Sequence, residues 1–205
     1  RMAAADALAK QLMVYRHDSP LILGIARGAV PMAASIARVL GAPWDVLLAK
    51  KLCAPNQPEF AVGAVDESGW VYRSDLVQEL GIDEDYLEQE KARQLELMHD
   101  RRAEYDAIAK RISPAGRTVI VVDDGLATGA TMMAAIHGLK QQGARKVICA
   151  VPIGSRHSVS QAKAAADEVV CLEVPADFHS VSQGYQNFEQ VSDEEVLSHL
   201  RMKAR

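Results

Sequence analysis

Cysteine is scarce: Cys53, Cys149 and Cys171 are the only three in 205 residues, and none stands in Cys-x-x-Cys spacing. So odd and scattered a set excludes a disulfide framework and a zinc knuckle and fits a reducing compartment, which makes the cytoplasm the expected location. Aromatic residues make up only 5% of the chain, so any cluster of rings is informative. No apolar run approaches the ~18 residues that span a bilayer, and Arg1 to Asp6 lacks the apolar core of a signal peptide. A membrane is not an expected partner. Neither sign of charge dominates: the net charge of −4 gives no global attraction to nucleic acid. Internal repeats and low-complexity tracts are also missing. What remains, 49% hydrophobic and 24% charged, suits one α/β domain over residues 1–205 with a full core.

The chemistry concentrates between Thr118 and Thr131. Val119 to Val122 are four branched apolar residues, too few for a helix, and read as a strand buried on both faces. The strand ends at two adjacent carboxylates, Asp123 and Asp124. Gly125 and Gly129 then permit turns and close approaches that other residues resist, while Thr128 and Thr131 supply hydroxyls. Helical spacing from Ala130 to Leu139 brings the free N–H groups of a helix N-terminus to the same loop. Such a cradle suits an anion. The acids beside it repel a bare phosphate, yet they accept hydrogen bonds from sugar hydroxyls and gather Mg²⁺. A phosphorylated sugar satisfies both halves. Asp-Asp-Gly alone is only a turn; the coincidence of strand, acid pair, glycines and threonines marks a site.

Upstream, Ala3 to Tyr15 is amphipathic, with Ala4, Leu8, Leu12 and Tyr15 on one helical face. Leu21 to Ile25 follows as a buried strand, and Pro31 opens a helix that ends near Gly41. Between them, Ala26-Arg27-Gly28-Ala29 is a small-residue loop with one arginine at a helix N-terminus, a second anion site by the same physics. Asp45 to Ala49 is a third strand-like run, ending at Lys50-Lys51. Cys53 to Pro58 reads as irregular, and Phe60 to Val65 with Trp70 to Tyr72, around Glu67-Ser68-Gly69, predicts a hairpin. Asp83 to Ile112 predicts a long, charge-dense, solvent-bridging helix with pairs such as Glu90 with Gln94 and Arg101 with Tyr105. Lys146 to Val151 and Glu168 to Leu172 are further strands around a helix from Ser158 to Ala166. This alternation predicts a three-layer α/β/α fold on a mainly parallel twisted sheet, with both anion loops at its switch point. Residues 174–205 leave both periods until Ser192-Asp193-Glu194-Glu195 caps a last helix. Phe178, Tyr185 and Phe188 gather there; the hydroxyl of Tyr185 suits a half-wet stacking site, and the two phenylalanines suit packing.

The stretch from Thr118 to Thr131 closely resembles the phosphoribosyl-pyrophosphate (PRPP) signature of type I phosphoribosyltransferases: an apolar run, two acids, small residues and Thr-Gly-x-Thr. The resemblance runs through most of the chain. It is closest to a bacterial branch with a Gly-x-Pro-Arg-Gly-Gly-Val-Pro-Val-Ala loop, an Arg-Lys-Leu-Gly strand end and a C-terminal Gln-Val-Ser-Asp-x-Glu-Val. Here those segments are Gly24 to Ala33, Lys50-Lys51-Leu52-Cys53 and Gln190 to Val196, with Ala26 and Ala29 departing from the pattern.

The resemblance implies a role for each segment. Asp123 and Asp124 hold the ribose hydroxyls and Mg²⁺, the metal in part through water, and Gly125, Leu126, Ala127, Thr128, Gly129, Ala130 and Thr131 wrap the 5′-phosphate. Ala26, Arg27 and Gly28, with Lys50 and Lys51, bind pyrophosphate, through a backbone strained or cis at the Arg27-Gly28 peptide. Asp123, Asp124, Arg27 and Lys50 form the catalytic set. The hairpin over about 53–73 is implied to be a mobile lid, and 174–205 a hood that sets Phe178, Tyr185 and Phe188 over the base. The implied activity is Mg²⁺-dependent transfer of 5-phosphoribosyl from PRPP to a small-molecule nitrogen acceptor, in a homodimer. Ala127 stands where hypoxanthine-guanine enzymes carry an aspartate, and it disfavours a 6-oxopurine acceptor. Two other classes fit less well: a PRPP- or nucleotide-sensing binder, which needs no leaving-group site, and a PRPP synthetase, which is a longer chain of two such domains.

Overall fold

The computed structural model describes residues 1–204. Its elements run α1 (Met2–Leu12), β1 (Leu21–Ile25), α2 (Val30–Leu40), β2 (Trp44–Leu47), β3 (Ala49–Ala54), β4 (Gln57–Asp66), β5 (Val71–Arg73), α3 (Leu76–Glu79), α4 (Glu84–Ile108), β6 (Thr118–Val122), α5 (Ala130–Gln141), β7 (Lys146–Ile153), α6 (Arg156–Ala165), β8 (Glu168–Glu173) and α7 (Asp193–Lys203). Short 3-10 turns cover Met13–Asp18 and Val181–Gly184. No described helix is long and apolar enough to cross a membrane.

Five strands form a wholly parallel sheet in the order β2-β1-β6-β7-β8. Alternation along each strand explains the layers. Leu21, Leu23, Ile25, Val119, Val121, Val147 and Val151 pack against α5 and α6, whereas Ile22, Ile120, Val122, Ile148 and Ala150 pack against α1 and α2. A sheet apolar on both faces needs a helical layer on each, as the sequence predicts. The chain leaves β1 for one face and β6 for the other, so the gap between their carboxyl ends is the switch point. Register sets Gly24 beside Val122, which brings the loops at Ala26 and Asp123 together.

Three expectations change. α1 ends at Leu12, and Tyr15 reaches the same core from the following 3-10 turn. The run from Asp45 to Ala49 is not one strand: the central ladder stops at Leu47, and the chain resumes at Ala49 in a separate antiparallel sheet, β3-β4-β5. Leu47 and Leu48 are buried in different cores, so the chain crosses between them there. Lys50 and Lys51 therefore lie inside a strand rather than at the end of one, and only Pro55-Asn56 interrupts what reads as an irregular segment. The body of this sheet is fixed by packing, with Ala64 against Ala130 and Ala134 of α5, and Leu52 and Val65 in a core with Met98 and Tyr105 of α4.

The third change is α4, which does not bridge solvent. It begins where Asp83 accepts the N–H of Asp85 at 2.7 Å and buries Leu87, Glu90, Gln94, Met98 and Tyr105. The expected pair of Glu90 with Gln94 forms at 2.8 Å. Arg101 instead reaches Asp193 of α7, and Arg102 reaches Glu67 of the β4-β5 turn at 2.8 Å. Polar residues with long stems make up part of the buried face, which hides it from an apolar count.

Candidate active site

The switch point opens into a cavity of about 470 Å³. Its walls come from five stretches far apart in sequence: Arg1, the β1–α2 loop at Ala26 to Gly28, β3 at Lys50, Lys51 and Cys53, the β6–α5 loop from Asp123 to Gly129 with Thr131, and the C-terminal segment at Val181, Phe188, Gln190 and Val191. Both predicted anion loops, the acid pair and both lysines thus share one site.

Asp123 and Asp124 stand where β6 ends. Asp123 Oδ1 accepts the N–H of Asp124 at 2.8 Å, and burial followed by the Asp124 charge holds its carboxyl well above the usual carboxylate range. A Cβ on Gly28 would lie 2.3 Å from Asp124 Oδ2, so any larger residue there would push the carboxylate aside. Gly129, at φ 74°, is the turn into α5. Between them the loop is fastened from the start of α6 and the end of β7: the hydroxyls of Ser155 and Ser158 donate to the Ala127 carbonyl at 3.1 and 2.5 Å, and the Leu126 N–H donates to the Ile153 carbonyl at 2.9 Å. Nothing in the local pattern marks those serines. The cis peptide in the first loop joins Ala26 and Arg27, one residue ahead of the expected position.

Another part of the wall is cationic. Arg27 Nη1 lies 3.1 Å from Asp193 Oδ2, and Arg101 Nη2 lies 3.1 Å from the other oxygen of the same carboxylate. Burial, then Arg101 and Arg27, hold Lys50 below its ordinary range, while Asp193 offsets this only in part. Three cations about one carboxylate leave a surplus of positive charge, the condition that suits a polyanion.

Two of the C-terminal rings, Tyr185 and Phe188, exchange the places expected from the sequence. Tyr185 does not line the cavity; its hydroxyl donates to the Asp124 carbonyl at 2.5 Å and its ring lies 4.9 Å from that of Phe188. Phe188 forms part of the wall and Phe178 does not. A hydroxyl says that a partner exists but not on which side, so composition alone leaves the direction of Tyr185 open. Tyr185→Phe is expected to cost about 1 kcal/mol and to lower the melting temperature by roughly 2–4 °C. A melting curve identical to the parent protein would show that the hydroxyl is no strut.

Arg1 enters the site without any sequence signal. Its Nη2 is 3.1 Å from Asp124 Oδ2, its guanidinium stands 4.1 Å over the Phe188 ring, and Nη1 donates to the Glu189 carbonyl. Asp124 thus already accepts a cation. No three His, Cys, Asp or Glu side chains converge on a metal position among the described residues. The acid pair still fits Mg²⁺, which keeps several waters and takes one or two carboxylates when substrate phosphates complete its shell.

Comparison with known proteins gives a consistent result. The sequence model of the phosphoribosyl transferase domain matches residues 1–187. Two Mycobacterium tuberculosis proteins, "Putative phosphoribosyl transferase MT0597" of strain CDC 1551 / Oshkosh and "Putative phosphoribosyl transferase Rv0571c" of strain H37Rv, are each 42% identical over 198 residues. The match takes in 96% of this chain and 45% of theirs, so the chain spans about half the length of the curated relatives it matches. The crystal structure of TT1426 from Thermus thermophilus superposes with a TM-score of 0.80 at 41% identity, covering 97% of this chain and 95% of that one.

Proposed function

The chain belongs to the phosphoribosyl transferase family, and from that membership we propose that the domain transfers the 5-phosphoribosyl group of PRPP to a nitrogen acceptor and releases pyrophosphate. One observation carries this reading: a single cavity joins the acid pair and small-residue cradle to a stretch of wall with surplus positive charge. The first half suits ribose and its 5′-phosphate, the second a leaving polyanion.

In the reaction, the bond from C1 of the ribose to a pyrophosphate oxygen breaks and its electron pair leaves with pyrophosphate. The acceptor nitrogen closes on C1 and its proton passes to water. Asp123 and Asp124 accept hydrogen bonds from the ribose hydroxyls, and their charge favours the positive centre at C1. The loop from Gly125 to Thr131 holds the 5′-phosphate through main-chain N–H groups and the threonine hydroxyls. Arg27 and Lys50, with Lys51 at the edge, take up the charge gained by the departing oxygen. Mg²⁺, held by Asp123 and Asp124, would supply charge neutralisation between pyrophosphate and ribose. Phe188 offers its face to a planar acceptor, the place where the flat Arg1 guanidinium now lies. Ala127 has no carboxylate to meet a 6-oxopurine, which disfavours that class of acceptor. We assign closure over the site to the exposed turn at Pro55-Asn56, since the body of its sheet, at Leu52, Ala64 and Val65, is packed on α4 and α5.

A panel of nitrogen bases incubated with PRPP and Mg²⁺ tests the proposal by pyrophosphate release. At least one base outside the 6-oxopurines is expected to release pyrophosphate and yield its 5′-phosphoribosyl adduct. PRPP binding with no turnover across the panel would support a sensing role instead.

A further inference from the structure

Gln190 to Val196 stand out in the sequence, yet the reaction above uses none of their side chains. In the structure most of them have a part. Gln190 and Val191 wall the cavity. Ser192 Oγ accepts the N–H of Glu195 at 3.1 Å and the Glu195 carboxylate accepts the N–H of Ser192 at 3.0 Å, a reciprocal cap that fixes the start of α7. Val196 is fully buried in one core with Val30, the first residue of α2. Asp193 divides its carboxylate between two arginines from different elements, Arg27 of the β1–α2 loop and Arg101 of α4. Arg27 lines the cavity, whereas Asp193 and Arg101 do not.

We propose that Asp193 is a positioning residue for Arg27: held by Arg101 behind and by the cap of α7 beneath, it takes one edge of the Arg27 guanidinium and turns the remaining donors toward the pyrophosphate side of the cavity. The inference rests on the leaving-group role given to Arg27 above. A guanidinium carries five N–H donors in one rigid plane, so occupying one Nη fixes the direction of the others. An unanchored arginine would instead lose its rotamer freedom when the ligand arrives. One carboxylate cannot neutralise Arg27, Arg101 and the nearby Lys50 together, so the clasp orients the arginine and leaves the wall positive. A competing anion would have to occupy the cavity, and Asp193 does not line it.

Two measurements on the purified protein test this. In the ligand-free state, the Arg27 Nε–Hε group is expected to be as rigid by ¹⁵N relaxation as the backbone, and Asp193→Asn is expected to loosen it. Arg101→Gln, which leaves the α7 cap in place, should loosen it less. Titration with inorganic pyrophosphate and Mg²⁺ is expected to show about fivefold weaker binding for Asp193→Asn, and no further loss when that change is added to Arg27→Ala. Unchanged Arg27 mobility in Asp193→Asn, additive losses in the double variant, or tighter pyrophosphate binding by Asp193→Asn would each overturn the proposal. If the parent protein takes up no pyrophosphate, the leaving-group reading fails, while Arg27 mobility still decides whether Asp193 positions it.

Discussion

PRPP with Mg²⁺, at about 100 times its dissociation constant, is expected to add about 2.7 kcal/mol to the stability of this domain. For a chain of this size that corresponds to a melting temperature raised by roughly 5–10 °C. Asp123→Asn or Asp124→Asn should remove most of the rise. In the free protein, burial and the adjacent Asp124 charge oppose ionisation of Asp123, so the pair is costly to keep without a ligand. Ribose hydroxyls and a cation relieve that cost. The ligand-free Asp123→Asn protein should therefore melt no lower than the parent, although it no longer responds to the ligand. That combination separates a binding residue from a structural one, because loss of a structural carboxylate lowers both curves. A parent protein unmoved by millimolar PRPP and Mg²⁺ would sink the assignment, and so would an Asp123→Asn protein that responds in full.

The acid pair and its cradle are legible in the sequence because everything they need is contiguous. A buried strand, two carboxylates, a glycine at φ 74° and a helix start follow one another within fourteen residues, from Thr118 to Thr131, and each leaves its own local mark. The central sheet is legible for the same reason, since both faces of each strand are apolar and the burial is continuous from Val119 to Val122. What is not legible depends on where segments meet. The break at Leu48 arises because neighbouring residues serve different cores, and no period along the chain records that. Arg27 and Asp193 are 166 positions apart, and Ser158 lies 31 positions from the carbonyl it fastens. Tyr185 and Phe188 are nearly interchangeable by type; only the path of the tail decides which faces the cavity.

The other large effect belongs to Arg27. If this side chain serves the leaving group, Arg27→Ala should weaken binding of PRPP and of pyrophosphate by about 2 kcal/mol, roughly thirtyfold, the magnitude of hydrogen bonds to a charged group. Ribose 5-phosphate carries the same sugar hydroxyls and 5′-phosphate but no pyrophosphate, so its affinity should change by less than about twofold. The contrast is diagnostic because Arg27 is half-exposed and ion-paired to Asp193. Truncation leaves that carboxylate ion-paired to Arg101 and near Lys50, a change that falls on the start of α7 and spares the cradle around Ala127. A purely structural arginine would loosen the β1–α2 loop, and with it Gly28 where it passes Asp124, so both ligands would suffer together. Calorimetric titration of the two ligands into the parent protein and Arg27→Ala reads the difference directly. Equal losses would assign Arg27 to the scaffold, and an unchanged pyrophosphate affinity would move the leaving-group site away from this loop and onto Lys50 and Lys51.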